Sequence, residues 1–82
     1  MRRAGRAGFA RNVCVGLGNW ESPDAAPELT RALYDAEPSV RAHAAWALGR
    51  VGSAEARSAL SARASVETDA FVLEELMAAM DG

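Results

Sequence analysis

Pro38-Ser39-Val40-Arg41-Ala42-His43-Ala44-Ala45-Trp46-Ala47-Leu48-Gly49-Arg50-Val51-Gly52 is the stretch whose reading decides the fold. Pro38 suits the first turn of a helix, where its missing N–H has no intrahelical partner to lose. Val40, Ala44, Ala47, Leu48 and Val51 follow at i, i+4, i+7, i+8 and i+11, one apolar stripe of 3.6-residue period. Gly52 can take the left-handed conformation that closes helices. The spacing therefore predicts a helix over 38–51. Beside the stripe runs a more polar row, His43, Trp46 and Arg50 at i, i+3 and i+7. The stripe is a face that packs; the row is a face that can meet a partner.

The chain on either side echoes this helix. Phe9, Val13, Gly16, Leu17 and Trp20 stand 31 residues before Val40, Ala44, Ala47, Leu48 and Val51, which predicts a first helix over 9–17 closed by Gly18-Asn19. A second helix follows each of these. Ser22-Pro23-Asp24 offers caps for one that runs to about Tyr34, with Ala26, Leu29 and Leu33 on one side and Pro27 in its first turn. Ser53 caps the equivalent helix over 54–64, with Ala56, Leu60 and Ala64 inward. Leu29 and Leu60 again stand 31 apart. The final segment, 69–80, repeats the first helix at an offset of 32: Val72, Leu76, Ala79 and Met80 against Val40, Ala44, Ala47 and Leu48. Its pattern has decayed as a terminal cap should, with Phe71, Leu73 and Met77 expected to cover the end of the stack.

Two helices per ~31 residues, repeated, are the mark of a repeat array. The expected architecture is all-α, a short HEAT-like helical-hairpin solenoid (an α-α superhelix) of about five helices. Residues 1–8 form a basic lead-in, 9–35 and 36–66 two repeats, and 67–82 a truncated third repeat or cap. A plain four- or five-helix bundle is the alternative that the 31-residue echo argues against.

At 82 residues the chain is one small domain, and although half of its residues are apolar, many of these are alanine. Such a core must come from close helix–helix contact rather than from large side chains. No apolar run approaches the ~20 residues that span a membrane, and the basic N-terminal stretch lacks the apolar segment of a signal peptide. The single Cys14 excludes an internal disulfide and a self-contained cysteine metal site. The expected compartment is cytoplasmic. Every basic side chain is arginine, and their placement is uneven. Residues 1–20 carry Arg2, Arg3, Arg6 and Arg11 and no acid; residues 64–82 carry Glu67, Asp69, Glu74, Glu75 and Asp81 and no base. One end can meet phosphate; the other repels it.

Arg2-Arg3-Ala4-Gly5, Arg11-Asn12-Val13, Leu17-Gly18-Asn19 and Val40-Arg41-Ala42-His43-Ala44-Ala45-Trp46-Ala47-Leu48-Gly49-Arg50, taken with their spacing, are more particular than a generic repeat. Together they resemble the C-terminal part of the tRNA epoxyqueuosine reductase family, in which an "RN…LGN" segment precedes "VR-x-H-x-x-WALG" by about thirty residues. Residues 9–52 carry most of the resemblance. It implies a HEAT-like tail that helps hold a tRNA anticodon stem-loop, while cobalamin and two 4Fe-4S clusters in preceding domains reduce epoxyqueuosine to queuosine. This chain departs from that pattern by omission: it has no C-x₂-C-x₂-C-x₃-C-P run and no cobalamin domain. No cofactor is expected in it, and no catalysis by it alone.

The expected nucleic-acid contacts are Arg2, Arg3, Arg6 and Arg11, with His43 and Arg50 as accessories. Arginines on phosphates release counterions and give salt-sensitive affinity; the competing reading is a solvated terminus or a join to an upstream domain. Asn12 and His43 occupy equivalent places at the edge of the stripe, where each either reaches RNA or bonds to a loop carbonyl between helices. With no second histidine, His43 has no visible set of metal co-ligands. Trp46 either stacks on an unpaired base or packs between repeats; Trp20 reads as core or turn packing. Arg41 follows the acidic turn Asp35-Ala36-Glu37 and suits an arginine–carboxylate pair linking successive turns, whereas Arg50 is the better placed to contact phosphate. Cys14 reads as a small apolar packing residue. No nucleophile–base pair, phosphate-cradling glycine loop or metal-ligand cluster is evident.

Two functions follow as expectations. One is a non-catalytic module presenting a tRNA anticodon stem-loop to upstream catalytic domains, by shape and backbone contact. The other is a protein–protein scaffold, or a homodimer that buries exposed repeat ends, favoured by the acidic C-terminal segment.

Overall fold

The computed structural model describes residues 23–81. Among them a 3-10 turn, Pro23–Ala25, leads into four α-helices and no strand: α1 Ala26–Ala32, α2 Pro38–Val51, α3 Ala54–Ala64 and α4 Ala70–Asp81. The helix expected over 9–17 and the basic lead-in, with Asn12, Cys14 and Trp20, lie outside the described residues.

Local chemistry sets the helix ends. Glu37 is extended (φ −90°, ψ 123°) and Pro38 opens α2; at the other end Gly52 has φ 68° and its amide donates to the Leu48 carbonyl at 3.0 Å. Ser53 Oγ accepts from the Ala56 amide at 3.1 Å to cap α3. Asp69 Oδ1 accepts from the Val72 amide at 3.0 Å at the start of α4. The helix expected to reach Tyr34 is shorter, α1 ending at Ala32 with Leu33 as its cap. Pro27, lacking an amide proton, cannot extend an α-type ladder back toward Pro23, so the chain enters through the 3-10 turn. Past α1, the Asp35 carboxylate accepts from the Glu37 amide at 2.9 Å and turns the backbone toward α2.

The helices form two layers. α2 and α4 pack side by side as one layer, the most extensive contact among the described helices; α1 and α3 pack as the other, with α2 against both and α4 against α3. Leu29 and Leu33 near α1, Val40, Ala44, Ala47 and Leu48 on α2, Ala56 and Leu60 on α3, and Val72 and Leu76 on α4 fill the space between and are buried. The expected stripe is thus inward, with Val51 and Ala64 at its half-buried margin. α2 buries more than the stripe. Ala42 and Ala45 are also buried, because this helix has a neighbour in its own layer as well as across it.

The row Ala42, Ala45 and Gly49 (i, i+3, i+7) is what lets α4 approach so closely. A Cβ built on Gly49 would lie 3.0 Å from Ala79 Cβ and 3.2 Å from Ala79 Cα. Those atoms belong to a helix backbone and its first carbon, not to the tip of a flexible side chain, so α4 itself must move. Gly49→Ala gains about 1 kcal/mol of helix propensity and loses about 1–3 kcal/mol to overpacking. We expect net destabilisation of roughly 1 kcal/mol, partly recovered when Ala79→Gly is added; paired urea unfolding curves measure both.

α4 packs through its expected stripe, and of the side chains expected to cover the end of the stack Leu73 alone is drawn in. Val72 and Leu76 are buried and Leu73 half-buried, whereas Phe71 and Met77 are 56% and 57% exposed. Both lie off the stripe that follows Val72 and Leu76, so a helix docked by that stripe turns them outward.

Candidate functional site

Two features stand out on this scaffold, one holding the repeats in register and one open to a ligand. The first is a buried ion network. Arg41, on α2, spans to the loop before α4: its Nε and Nη2 donate to Glu67 Oε1 and Oε2, each at 3.0 Å, a bidentate pair. Arg41 Nη1 donates to the carbonyls of Asp35 (2.7 Å) and Ala36 (3.3 Å). Arg63, at the end of α3, adds its Nε to Glu67 Oε1 at 2.9 Å, and Glu67 Oε2 also accepts from the Asp69 amide at 3.0 Å. One carboxylate thereby ties the turn after α1, helix α2, the end of α3 and the entry to α4.

The Glu67 side chain is fully inaccessible. Burial pushes its pKa up; the hydrogen bonds from Arg41, the Asp69 amide and Arg63 outweigh that and hold it at about 2, against an ordinary 4.5. The expected arginine–carboxylate link of Arg41 is therefore present, but its carboxylate is Glu67 of the following turn. Asp35, in the preceding turn, contributes its carbonyl. Glu67 and Asp69 also leave the acidic C-terminal segment less exposed charge than its composition suggests, since one is neutralised internally and the other caps α4.

The second feature is a groove along the outer side of the α2–α4 layer. Its wider part, about 400 Å³, is lined by Ser39, Ala42, His43, Trp46, Phe71 and Glu75. A narrower part of about 230 Å³ continues past Trp46 and Glu75 to Arg50, with Gly49 and Ala79 at its floor where the helices touch. Repeat geometry builds it: Ser39, His43 and Trp46 on α2 stand 32 residues before Phe71, Glu75 and Ala78 on α4. Equivalent rows of consecutive repeats thus face each other across one valley.

The chemistry within the groove is specific. His43 Nδ1 lies 2.7 Å from the Ser39 carbonyl of its own helix. A carbonyl only accepts, so Nδ1 carries the proton and Nε2 of the neutral ring is left as an acceptor. Trp46 is 36% exposed, at the surface between the repeats. The Arg50 guanidinium carbon sits 5.5 Å from its ring centroid, so Arg50 is engaged on an aromatic face. Glu75 is half-buried and makes no ion pair among the described residues.

Of the expected nucleic-acid residues, His43 and Arg50 share this groove, while Arg2, Arg3, Arg6 and Arg11 lie outside the described residues. Phe71 and Glu75 were absent from the expected site. The 32-residue offset that maps them onto Ser39 and His43 was the available signal. Among the described residues no group of three or more His, Cys, Asp or Glu side chains is placed to hold a metal ion. With one cysteine in the chain, the residues present do not fit an iron–sulfur cluster. No described helix is long and apolar enough to cross a membrane.

Comparison with known proteins agrees with this architecture. The family of HEAT repeats matches residues 2–81. Epoxyqueuosine reductase of Staphylococcus aureus is 36% identical over 78 residues, 94% of this chain and 20% of that enzyme. The Listeria monocytogenes enzyme of the same name is 33% identical over 75 residues, 90% of this chain and 20% of its own length. A Geobacillus stearothermophilus protein named only as uncharacterized is 30% identical over 74 residues, covering 34% of that protein. The chain thus spans about a fifth of the length of the reductases it matches. No solved structure matches.

Proposed function

This chain belongs to the HEAT-repeat family, and on that premise we propose that it is a non-catalytic module that helps bind a tRNA anticodon stem-loop. The observation that carries the reading is the likeness to epoxyqueuosine reductases over 94% of this chain and only 20% of theirs. What is shared is a helical-repeat segment, without the cysteine runs that cluster chemistry needs. The cobalamin and two 4Fe-4S clusters that the resemblance implies belong to other parts of such enzymes, and upstream catalytic domains are the natural protein partner.

The N-terminal segment, whose charged side chains over residues 1–20 are all arginine, supplies the charge. Arg2, Arg3, Arg6 and Arg11 would contact phosphates, with Arg11 the principal one. His43 and Arg50 would serve as accessories from α2, and Trp46 as a surface on which an unpaired base can stack. Contacts of this kind position the RNA by shape and backbone; reading of the base falls to the catalytic domains.

Binding of a tRNA anticodon stem-loop at several salt concentrations tests this. We expect affinity to fall steeply with salt, and Arg11→Ala to weaken binding while reducing the slope of log affinity against log salt by about 0.7–0.9, the loss of one phosphate contact. No binding at low salt, or binding indifferent to Arg11→Ala and to salt, overturns the proposal.

A further inference from the structure

We infer that the groove between α2 and α4 receives an arginine side chain from a basic segment of a partner protein. The tRNA reading keeps the N-terminal arginines, whereas its accessories His43, Trp46 and Arg50 lie in this groove, which is here given to a protein segment instead. The groove walls are aromatic, and Glu75 and His43 supply acceptors in its larger part, away from the Arg50 guanidinium that lies over Trp46 at the other end. Trp46 and Phe71 stand on opposite helices of the same valley, 36% and 56% exposed, although both would be covered if they served only the core. Glu75 lies in both parts of the groove with no cationic partner among the described residues. His43 offers Nε2 as a second acceptor, because Nδ1 is committed to Ser39.

Aromatic faces with a carboxylate between them suit a planar cation. A guanidinium can lie against a ring while its N–H groups fork onto the carboxylate. The described residues already show this contact, with Arg50 over Trp46 at 5.5 Å and Arg63 over Tyr34 at 4.7 Å. Charge selects a protein segment over RNA here. α4 carries Glu74, Glu75 and Asp81, and residues 64–82 contain no basic side chain, so a phosphate backbone laid along α4 would meet like charge. A segment bearing arginine meets the complement.

The test is calorimetric titration of the full chain with a short capped peptide carrying two arginines. The same peptide with citrulline, which keeps the shape and loses the charge, is the control. We expect the arginine peptide to bind and the citrulline peptide to bind at least about tenfold more weakly. Glu75→Gln and Phe71→Ala should each weaken the arginine peptide by about tenfold. Both positions lie outside the buried core, and unchanged unfolding curves confirm that the variants stay folded. Glu55→Gln, an exposed carboxylate on α3, should leave affinity unchanged. Three results overturn the inference: no binding at low salt, equal loss in Glu55→Gln and Glu75→Gln, or an anticodon stem-loop that displaces the peptide and itself loses affinity in Phe71→Ala, which gives the groove to RNA.

Discussion

Arg41→Ala removes about 3–5 kcal/mol of folding stability, the largest single effect we expect outside the apolar core. The reason is the carboxylate it leaves behind. Glu67 is fully inaccessible and receives two of its charge-assisted hydrogen bonds from Arg41. Without them, Arg63 and the Asp69 amide alone must hold a buried charge. The carbonyls of Asp35 and Ala36 lose their donor at the same time, loosening the turn that leads into α2. For a small domain of ordinary stability, ~5–15 kcal/mol, this is a large fraction of the total. Equilibrium urea unfolding at neutral pH, followed by circular dichroism, measures it.

The same network sets the acid limit of the fold. Glu67 has a folded-state pKa of about 2, below its ordinary 4.5, so its contribution is fully present above the unfolded value. It is lost progressively as pH falls from about 4.5 to about 2. A shift of that size is worth roughly 3 kcal/mol by linkage. In Glu67→Gln this share of the pH dependence should vanish, and stability between pH 5 and 3 should fall less steeply than in the parent chain. An unchanged acid profile in Glu67→Gln would show that Glu67 is not the group that titrates.

Leu48→Ala is the second large effect, about 3–5 kcal/mol. Leu48 is completely buried on α2, the helix that touches each of the other three. Its neighbours along the helix, Ala44, Ala45 and Ala47, are also buried and are too short to swing into the space it leaves. A cavity that cannot collapse places the cost toward the upper end of the range for such truncations. Ala45→Leu makes the converse test, because an alanine-rich core is held by close backbone approach. Added volume there should also destabilise, by about 1–3 kcal/mol, where a loosely packed interior would gain. Denaturant midpoints of the two variants against the parent decide it, and a stabilised Ala45→Leu would refute the close-packed account.

The sequence by itself determined the helices and their inward faces wherever the cause is local. Pro38 at the start of α2, Gly52 at its end and Ser53 at the cap of α3 act through groups within four residues of themselves, so their roles are readable in one dimension. The apolar stripe is equally legible, since a 3.6-residue period brings Val40, Ala44, Ala47 and Leu48 together whatever else the chain does. The ~31-residue echo extended that to a stacked array. Tertiary structure alone decided what depends on distance along the chain. Arg41 and Glu67 are 26 residues apart, and nothing in the intervening sequence says which acid closes the pair. Ala42 and Ala45 are buried only because α4 lies beside α2, and alanine is indifferent enough to water to give no sign of it. Phe71 and Glu75 face His43 and Trp46 across a groove because equivalent rows of adjacent repeats meet at their edges. Periodicity registers which residues share a face of one helix; only packing brings two helices' faces to the same valley.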